Sequence, residues 1–423
     1  MQVTVSGKAQ GTIGAPPSKS MAHRAVLAAA LAKGTSLVKN LEWSADVKAT
    51  LKAAQDFGAQ VEVGENWAKI TGIGQPTAPK TAVDCGESGS TLRFLIPILA
   101  QTAQPVSLVG HGRLPQRPQQ VYADLFAERG LEFSQNEQGV QLCGPLSGGS
   151  YTLRGDVSSQ FISGLLFALP LAKENSEIHI LPPFESRSYV ELTLQTLAEF
   201  GVQVVWKDEY TLSIAGGQQY IARDVTVDGD WSNAAFPAVL GALTNTVALK
   251  GLKSDTKQGD AVIFDILRRC GVSITENSAG TFEFAKDELQ GVVIDLADCP
   301  DLGPILMVLA AFCKGTTRIE HAGRLRIKES DRIEAMAAEL KKFGVTVRQL
   351  DSETVEIDGS MPVQPAEAID SHNDHRVVMA CTVAALGAGL TVTIDDAQAV
   401  TKSWPAFFAA MRSLGVEVQQ HEQ

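Results

Sequence analysis

The chain has 423 residues, with 36 lysines plus arginines against 48 aspartates plus glutamates, a formal net charge of −12, and only 6% aromatic residues. Without a basic run, that balance argues against nucleic acid as a partner, so any anion must be met by cations gathered locally. The length favours two or three domains, and apolar stretches such as 161–172 and 302–313 are too short and too interrupted to cross a bilayer.

The chain opens on MQVTVSGKAQ, which alternates apolar and polar residues as a strand does and lacks the basic head and apolar run of a signal peptide. Six scattered cysteines (Cys85, Cys143, Cys270, Cys299, Cys313, Cys381) form no CxxC pair, so reduced thiols and a cytoplasmic location are expected. GAPPSKSMAHRAVLAAALA (14–32) then predicts a helix that is apolar all round, which belongs in a core. Its first turn nevertheless crowds together Ser18, Lys19, Ser20, His23 and Arg24.

Further along, one pattern recurs six times: an amphipathic helix, a glycine, then two short alternating strands. The marker glycines are Gly58, Gly130, Gly201, Gly271, Gly344 and Gly415, at spacings of 72, 71, 70, 73 and 71 residues. Glycine is what a helix uses to stop in the left-handed conformation, and six such stops at a near-constant period mark an internal repeat. Each repeat also holds a second, more apolar helix followed by a strand. A buried inner helix and a half-exposed outer helix per repeat, with sheets around them, are therefore expected in an α/β fold. The sixth repeat ends before its last strand, and QVTVSG at the N-terminus fits the gap. The six repeats then divide three and three. One domain comprises 1–16 plus 228–423 and the other 17–227, with chain crossings near TIGAPPSKS and QQYIARDVTVDGD.

The inner helices share polar first turns: Ser18-Lys19-Ser20 with Arg24; Glu87-Ser88-Gly89-Ser90-Thr91 with Arg93; Ser158-Ser159-Gln160; Asp230 with Ser232 and Asn233; Asp301; and Asn373-Asp374-His375-Arg376. Hydroxyls and carboxylates at these places are also ordinary helix caps. Cations there are different, because Lys19, Arg24, Arg93 and Arg376 oppose the helix dipole and favour an anionic partner. Loops add Arg113 and Arg117 in GHGRLPQRPQQ, Lys328, Glu329, Asp331 and Arg332 in RLRIKESDRIEAM, and Lys402 in TKSWPAFF. Neither GxGxxG nor GxxxxGK[ST] nor GxSxG occurs, and His372 with His375 lacks the partners of a metal set, so no metal and no cofactor are expected.

GAPPSKSMAHRA, CGESGSTLRF, QRP, VSSQF, CPDLG, RIKESDR, NDHR and TKSWP occur in that order over nearly the whole chain. In this the sequence resembles the enolpyruvyl transferases. The resemblance implies two domains of three repeated units with the active site in the cleft between them, and a monomer. It implies transfer of the enolpyruvyl group of phosphoenolpyruvate to the 5-hydroxyl of shikimate 3-phosphate, with release of phosphate. By motif, Lys19, Ser20, Arg24, Ser158, Ser159, Gln160, Ser186, Asp301 and Lys328 would hold shikimate 3-phosphate. Lys19, Gly89, Arg117, Gln160, Arg332, Arg376 and Lys402 would hold phosphoenolpyruvate, with Arg93 and His375 in support. Asp301 is the implied base and Glu329 the implied acid, with Lys19 or Lys402 sharing proton transfer.

Two positions depart from the family pattern: Glu87 stands where many members have Asn, and Arg324 where some have Asn. The sister enzymes acting on UDP-N-acetylglucosamine carry Lys-Asn at the first motif and usually a Cys in the mobile loop. This chain has Lys19-Ser20 and no Cys in 110–120. The RNA 3'-phosphate cyclases share the repeated unit but are shorter and rely on a nucleotide-reactive histidine. A non-catalytic anion-sensing relative would have lost part of the set Lys19, Asp301, Glu329, His375, Arg376 and Lys402, all of which are present.

Overall fold

The computed structural model describes residues 1–366 and 368–421. The chain divides into two compact units, Lys19–Val227 on one hand and Met1–Ser18 with Asp228–Gln423 on the other. Each encloses its own apolar core.

The Lys19–Val227 unit contains helices α1 (Lys19–Leu31), α2 (Ala45–Asp56), α3 (Gly89–Leu99), α4 (Gln120–Glu128), α5 (Ser159–Ala168) and α6 (Arg187–Glu199). The other contains α7 (Trp231–Thr244), α8 (Ile263–Arg269), α9 (Gly303–Ala311), α10 (Arg332–Lys342), α11 (His375–Gly387) and α12 (Phe407–Ser413). Odd-numbered helices are buried on almost every side, as sequences such as GPILMVLAA in α9 demand. Even-numbered helices bury one stripe; in α2 it includes Val47, Leu51 and Ala54, at helical spacing. None of the described helices is long and apolar enough to cross a membrane.

The repeat is plainest in residues 83–143. Strand Val83–Asp84 leads into α3, and Pro105–Val109 follows, parallel to it. After α4, the hairpin Glu132–Asn136 and Gly139–Cys143 adds its second strand antiparallel to Pro105–Val109. Among the described residues, all six sheets keep this spatial order. Gln2–Ser6 runs antiparallel to both Val392–Asp395 and Glu417–His421, with Val3 opposite Ile394 and Gln420, and so fills the place left open in the short sixth repeat.

Two repeats take their first strand from elsewhere in the chain. Gly11–Gly14 precedes α1 yet pairs in parallel with Val247–Lys250, which follows α7. Tyr220–Ile221 and Val225–Thr226 precede α7 yet pair in parallel with Ala32–Lys39, which follows α1. The chain changes unit after the strand and before the inner helix, at Ser18/Lys19 and at Val227/Asp228. The first change lies two residues beyond the expected 16/17. There Ser18 N donates to Asp228 O at 2.8 Å and Asp230 N to Pro16 O at 2.7 Å, around an isolated antiparallel bridge between Pro17 and Gly229.

All six marker glycines have positive φ, between +64° and +121°, as a left-handed helix stop requires. A second glycine series has a different cause. Gly72, Gly144, Gly216 and Gly359, at intervals of 72, 72 and 143 residues, sit where the second hairpin strand ends against backbone carbonyls at or just beyond the end of an inner helix. A Cβ at Gly144 would overlap the oxygens of Ala100 and Thr102, and one at Gly359 those of Ala310 and Cys313.

Candidate active site

In the Lys19–Val227 unit, the polar residues cluster at the starts of α1, α3 and α5. Lys19 donates from Nζ to Asp46 Oδ2 on α2 at 2.8 Å. Ser20 lies in the same turn. Arg24, only 2% exposed, uses Nη1 for the Ser20 carbonyl, Nε for Thr193 Oγ1 and Nη2 for the Tyr189 carbonyl, at 2.8, 2.8 and 2.9 Å. Burial pushes its guanidinium down to about 10. Arg24 thus pins α1 to α6.

Ser88 and Ser158 are genuine N-caps, accepting from Thr91 N at 3.2 Å and from Gln160 N at 3.3 Å. Ser159 is buried in the first turn of α5, and Ser186, at φ +55°, immediately precedes α6. Arg93 donates to Gln160 Oε1 at 2.9 Å and to the Pro118 carbonyl at 3.0 Å, and Gln160 donates to Ser90 Oγ at 2.9 Å. The starts of α3 and α5 are thereby joined. Arg117 lies directly against Gly89, where a Cβ would stand 2.6 Å from Nη1. The missing side chain at Gly89 therefore makes room for a protein cation on the first turn of α3. Glu87 folds over Gly112, so close that a Cβ there would overlap its carboxylate.

In the other unit, the starts of α7, α9 and α11 converge with the turn before α10. Arg332, 1% exposed, donates Nε to Asp374 Oδ2 at 2.8 Å, Nη1 to Asp301 Oδ1 at 3.1 Å and Nη2 to Glu329 Oε2 at 2.8 Å. Lys328 Nζ reaches Asp301 Oδ1 at 3.1 Å, and Arg376 Nη2 lies 3.4 Å from Asp301 Oδ2. Arg376 also donates to Ser232 Oγ at 2.7 Å. Its Nε and Nη1 are buried without a hydrogen-bond partner among the described residues, which suits an anionic ligand. Lys402 Nζ donates to the Asn373 carbonyl at 2.6 Å, and buried His375 has Nδ1 3.8 Å from Asp374 Oδ1. Arg324 donates to the Ala297 carbonyl and adds a positive charge beside Lys328.

The electrostatics follow from this crowding. Burial alone would raise the Asp301 carboxyl, but the charges of Lys328, Arg376 and Arg332 outweigh it and hold the group well below the usual range. Burial lowers Lys328 against the pull of Asp301. At Asp374, burial opposes and Arg332 with His375 prevails, bringing the carboxyl to about 2.

Four participants were not singled out from the sequence as site residues. Asp46 faces Lys19 from an outer helix, where one carboxylate among many carried no mark. Asp374 and Ser232 read as helix starts only. Asp260, buried in the turn before α8, bonds the Ser232 hydroxyl; burial, then the Asp301 charge, push it up to about 6. Its signal would have been a carboxylate at the start of a half-buried segment, which is too common to select.

The comparisons with known proteins agree on one family. A family model described as EPSP synthase (3-phosphoshikimate 1-carboxyvinyltransferase) matches residues 3–411. A Clostridium kluyveri protein named 3-phosphoshikimate 1-carboxyvinyltransferase is 40% identical over 415 residues, covering 98% of this chain and 97% of its own. One of the same name from Clostridium acetobutylicum is 40% identical over 417 residues, covering 97% and 96%. The solved EPSP synthase of Acinetobacter baumannii superposes with a TM-score of 0.81 at 28% identity, over 99% of this chain and 100% of that one. The enolpyruvyl transferase NikO of Streptomyces tendae shares the fold, with a TM-score of 0.80 at 17% identity. With so long a family match and such relatives across almost its full length, the chain belongs to the EPSP synthase family.

Proposed function

We propose that this chain is a transferase that moves the enolpyruvyl group of phosphoenolpyruvate to the 5-hydroxyl of shikimate 3-phosphate and releases phosphate. The step belongs to the shikimate route to chorismate and the aromatic amino acids. The observation that carries the reading is the group around Asp301: one carboxylate within 3.4 Å of Lys328, Arg332 and Arg376, inside the span matched by the family.

Both substrates carry two anionic groups, a phosphate and a carboxylate. Shikimate 3-phosphate is assigned to Lys19, Ser20, Arg24, Ser158, Ser159, Gln160, Ser186, Asp301 and Lys328. Phosphoenolpyruvate is assigned to Lys19, Gly89, Arg117, Gln160, Arg332, Arg376 and Lys402, with Arg93 and His375 in support. Guanidinium forks match the two oxygens of a carboxylate or phosphate edge.

The chemistry needs one proton removed and one delivered. Asp301 takes the proton of the 5-hydroxyl as its oxygen attacks C2 of phosphoenolpyruvate. Glu329 delivers a proton to the methylene carbon, and Lys19 or Lys402 shares the transfer. The tetrahedral adduct then returns a methyl proton to the Glu329 carboxylate and expels phosphate, whose charge the cations stabilise. The protein works in the cytoplasm, a reading supported by its six free cysteines, and as a monomer, which rests on the family resemblance alone.

Phosphate release from phosphoenolpyruvate, with shikimate 3-phosphate or UDP-N-acetylglucosamine as acceptor, tests the assignment. Release with shikimate 3-phosphate alone is expected. Release with the sugar nucleotide alone, or with neither from folded protein, would overturn it.

A further inference from the structure

Lys19 and His23 stand one turn apart on α1, and Asp46 and Thr50 stand one turn apart on α2. The two pairs meet as rungs, Lys19 Nζ to Asp46 Oδ2 at 2.8 Å and His23 Nδ1 to Thr50 Oγ1 at 2.6 Å. The second rung continues. Thr50 Oγ1 lies 2.6 Å from Thr91 Oγ1 on α3, and Thr91 donates to Ser88 Oγ at 2.8 Å. Ser88 is the cap of α3, and Gly89 and Ser90 follow it.

Proton counting fixes the direction of this chain. A hydroxyl has one proton to give. Thr91 gives its proton to Ser88, so the bond between Thr50 and Thr91 is donated by Thr50. Thr50 then has none left for His23, so His23 Nδ1 carries the hydrogen and donates. The order His23 to Thr50 to Thr91 to Ser88 is thus one-way. Burial, reinforced by the charges of Lys19 and Arg24, holds the imidazole well below its ordinary value, so it is neutral with the proton on Nδ1. His23, Thr50, Thr91 and Ser88 are each at most 1% exposed, so the link runs through the interior of the unit.

We propose that the His23–Thr50–Thr91–Ser88 chain is a positioning device. It sets the first turn of α1, with Lys19 and Ser20, against the first turn of α3, with Gly89 and Ser90, and so governs affinity for the phosphate-bearing substrates rather than the chemical step. The inference rests on the substrate assignment above. Its logic is geometric: two anion-binding turns on separate helices need a fixed spacing, and a polar link in a dry core fixes spacing and angle together.

The test is Thr50→Val, which keeps the shape and removes the hydroxyl, beside Thr50→Ser, which keeps the hydroxyl. kcat and KM for both substrates would be measured with the thermal midpoint. T50V is expected to raise KM for at least one substrate roughly tenfold, with kcat within about twofold, since a broken buried link relaxes the spacing at both turns. T50S is expected to restore KM. A wild-type KM in T50V, an equal rise in T50S, or a loss confined to kcat would overturn the proposal. Should T50V not fold, Thr91→Ala and Thr91→Ser break and restore the next link and are read the same way. Wild-type turnover is measured alongside. Its absence would overturn the substrate assignment and this inference with it, whereas wild-type turnover with unaltered KM in the variants overturns only the positioning role.

Discussion

Lys328 Nζ lies 3.1 Å from Asp301 Oδ1, and the same oxygen receives Nη1 of Arg332 at 3.1 Å. A carboxylate so held is ionised at neutral pH but slow to accept a proton. On the proposed assignment it becomes a better base when its cations turn towards the phosphates and carboxylates of the substrates, so that binding and activation of the base would be one event.

Asp301→Asn and Glu329→Gln should accordingly lose turnover far more than binding. Each is expected to lower kcat by about 10²–10⁴, the usual worth of a positioned acid or base, with the dissociation constant of shikimate 3-phosphate changed only a few-fold. Steady-state kinetics and calorimetric titration read the two quantities separately. Equal losses in both would remove these residues from the proton transfers.

The same cluster makes a prediction about pH. Lys328 is the first cation acting against burial to keep the Asp301 carboxyl low. In Lys328→Met the carboxyl must rise, because an opposing charge is lost while the burial remains. The acid limb of kcat/KM should therefore move to higher pH in the variant. An unmoved limb would show that Asp301 is not the group being titrated.

The repeat was legible because its signals are local. A glycine ending a helix at positive φ is dictated by the backbone of that one residue, so Gly58 through Gly415 could be read one by one. The swapped first strands were not, because Gly11–Gly14 carries no mark that its partner is Val247–Lys250 rather than Ala32–Lys39. Site cations such as Arg376 stood out because they oppose a helix dipole. Some of the acids beside them did not: Asp46 and Asp260 look like any surface acid until the fold buries them. The crowded first turn of α1 has its reason in the same terms. Arg24 directs three of its nitrogens to Ser20, Thr193 and Tyr189, so part of that cationic turn pins helices together.

Gly89→Ala tests the close approach of Arg117. The added Cβ would stand 2.6 Å from Nη1, and the guanidinium must move to accommodate it. KM for phosphoenolpyruvate should rise by roughly tenfold, about 1.4 kcal/mol, while binding of shikimate 3-phosphate stays near wild type. A rise confined to shikimate 3-phosphate would place Arg117 on the other substrate.

Arg332→Met should separate charge from packing. The guanidinium bridges Asp374, Asp301 and Glu329 from the first residue of α10, and Asp374 is fully buried. Methionine fills much of the volume but leaves buried carboxylates uncompensated, which typically costs about 3–5 kcal/mol. Urea unfolding at neutral pH reads the loss directly. The pH dependence identifies its origin. The Asp374 carboxyl is near 2 in the folded protein, below the ~3.9 of an unfolded chain. Its stabilising contribution is therefore present above the unfolded value and fades as pH falls through the folded one. Without Arg332 the carboxyl is no longer held so low, and the variant lacks most of that contribution at every pH. The stability gap between wild type and variant should then be widest above about pH 5 and narrow towards about pH 2. A gap constant across that range would assign the loss to packing around α10 and not to the ion cluster.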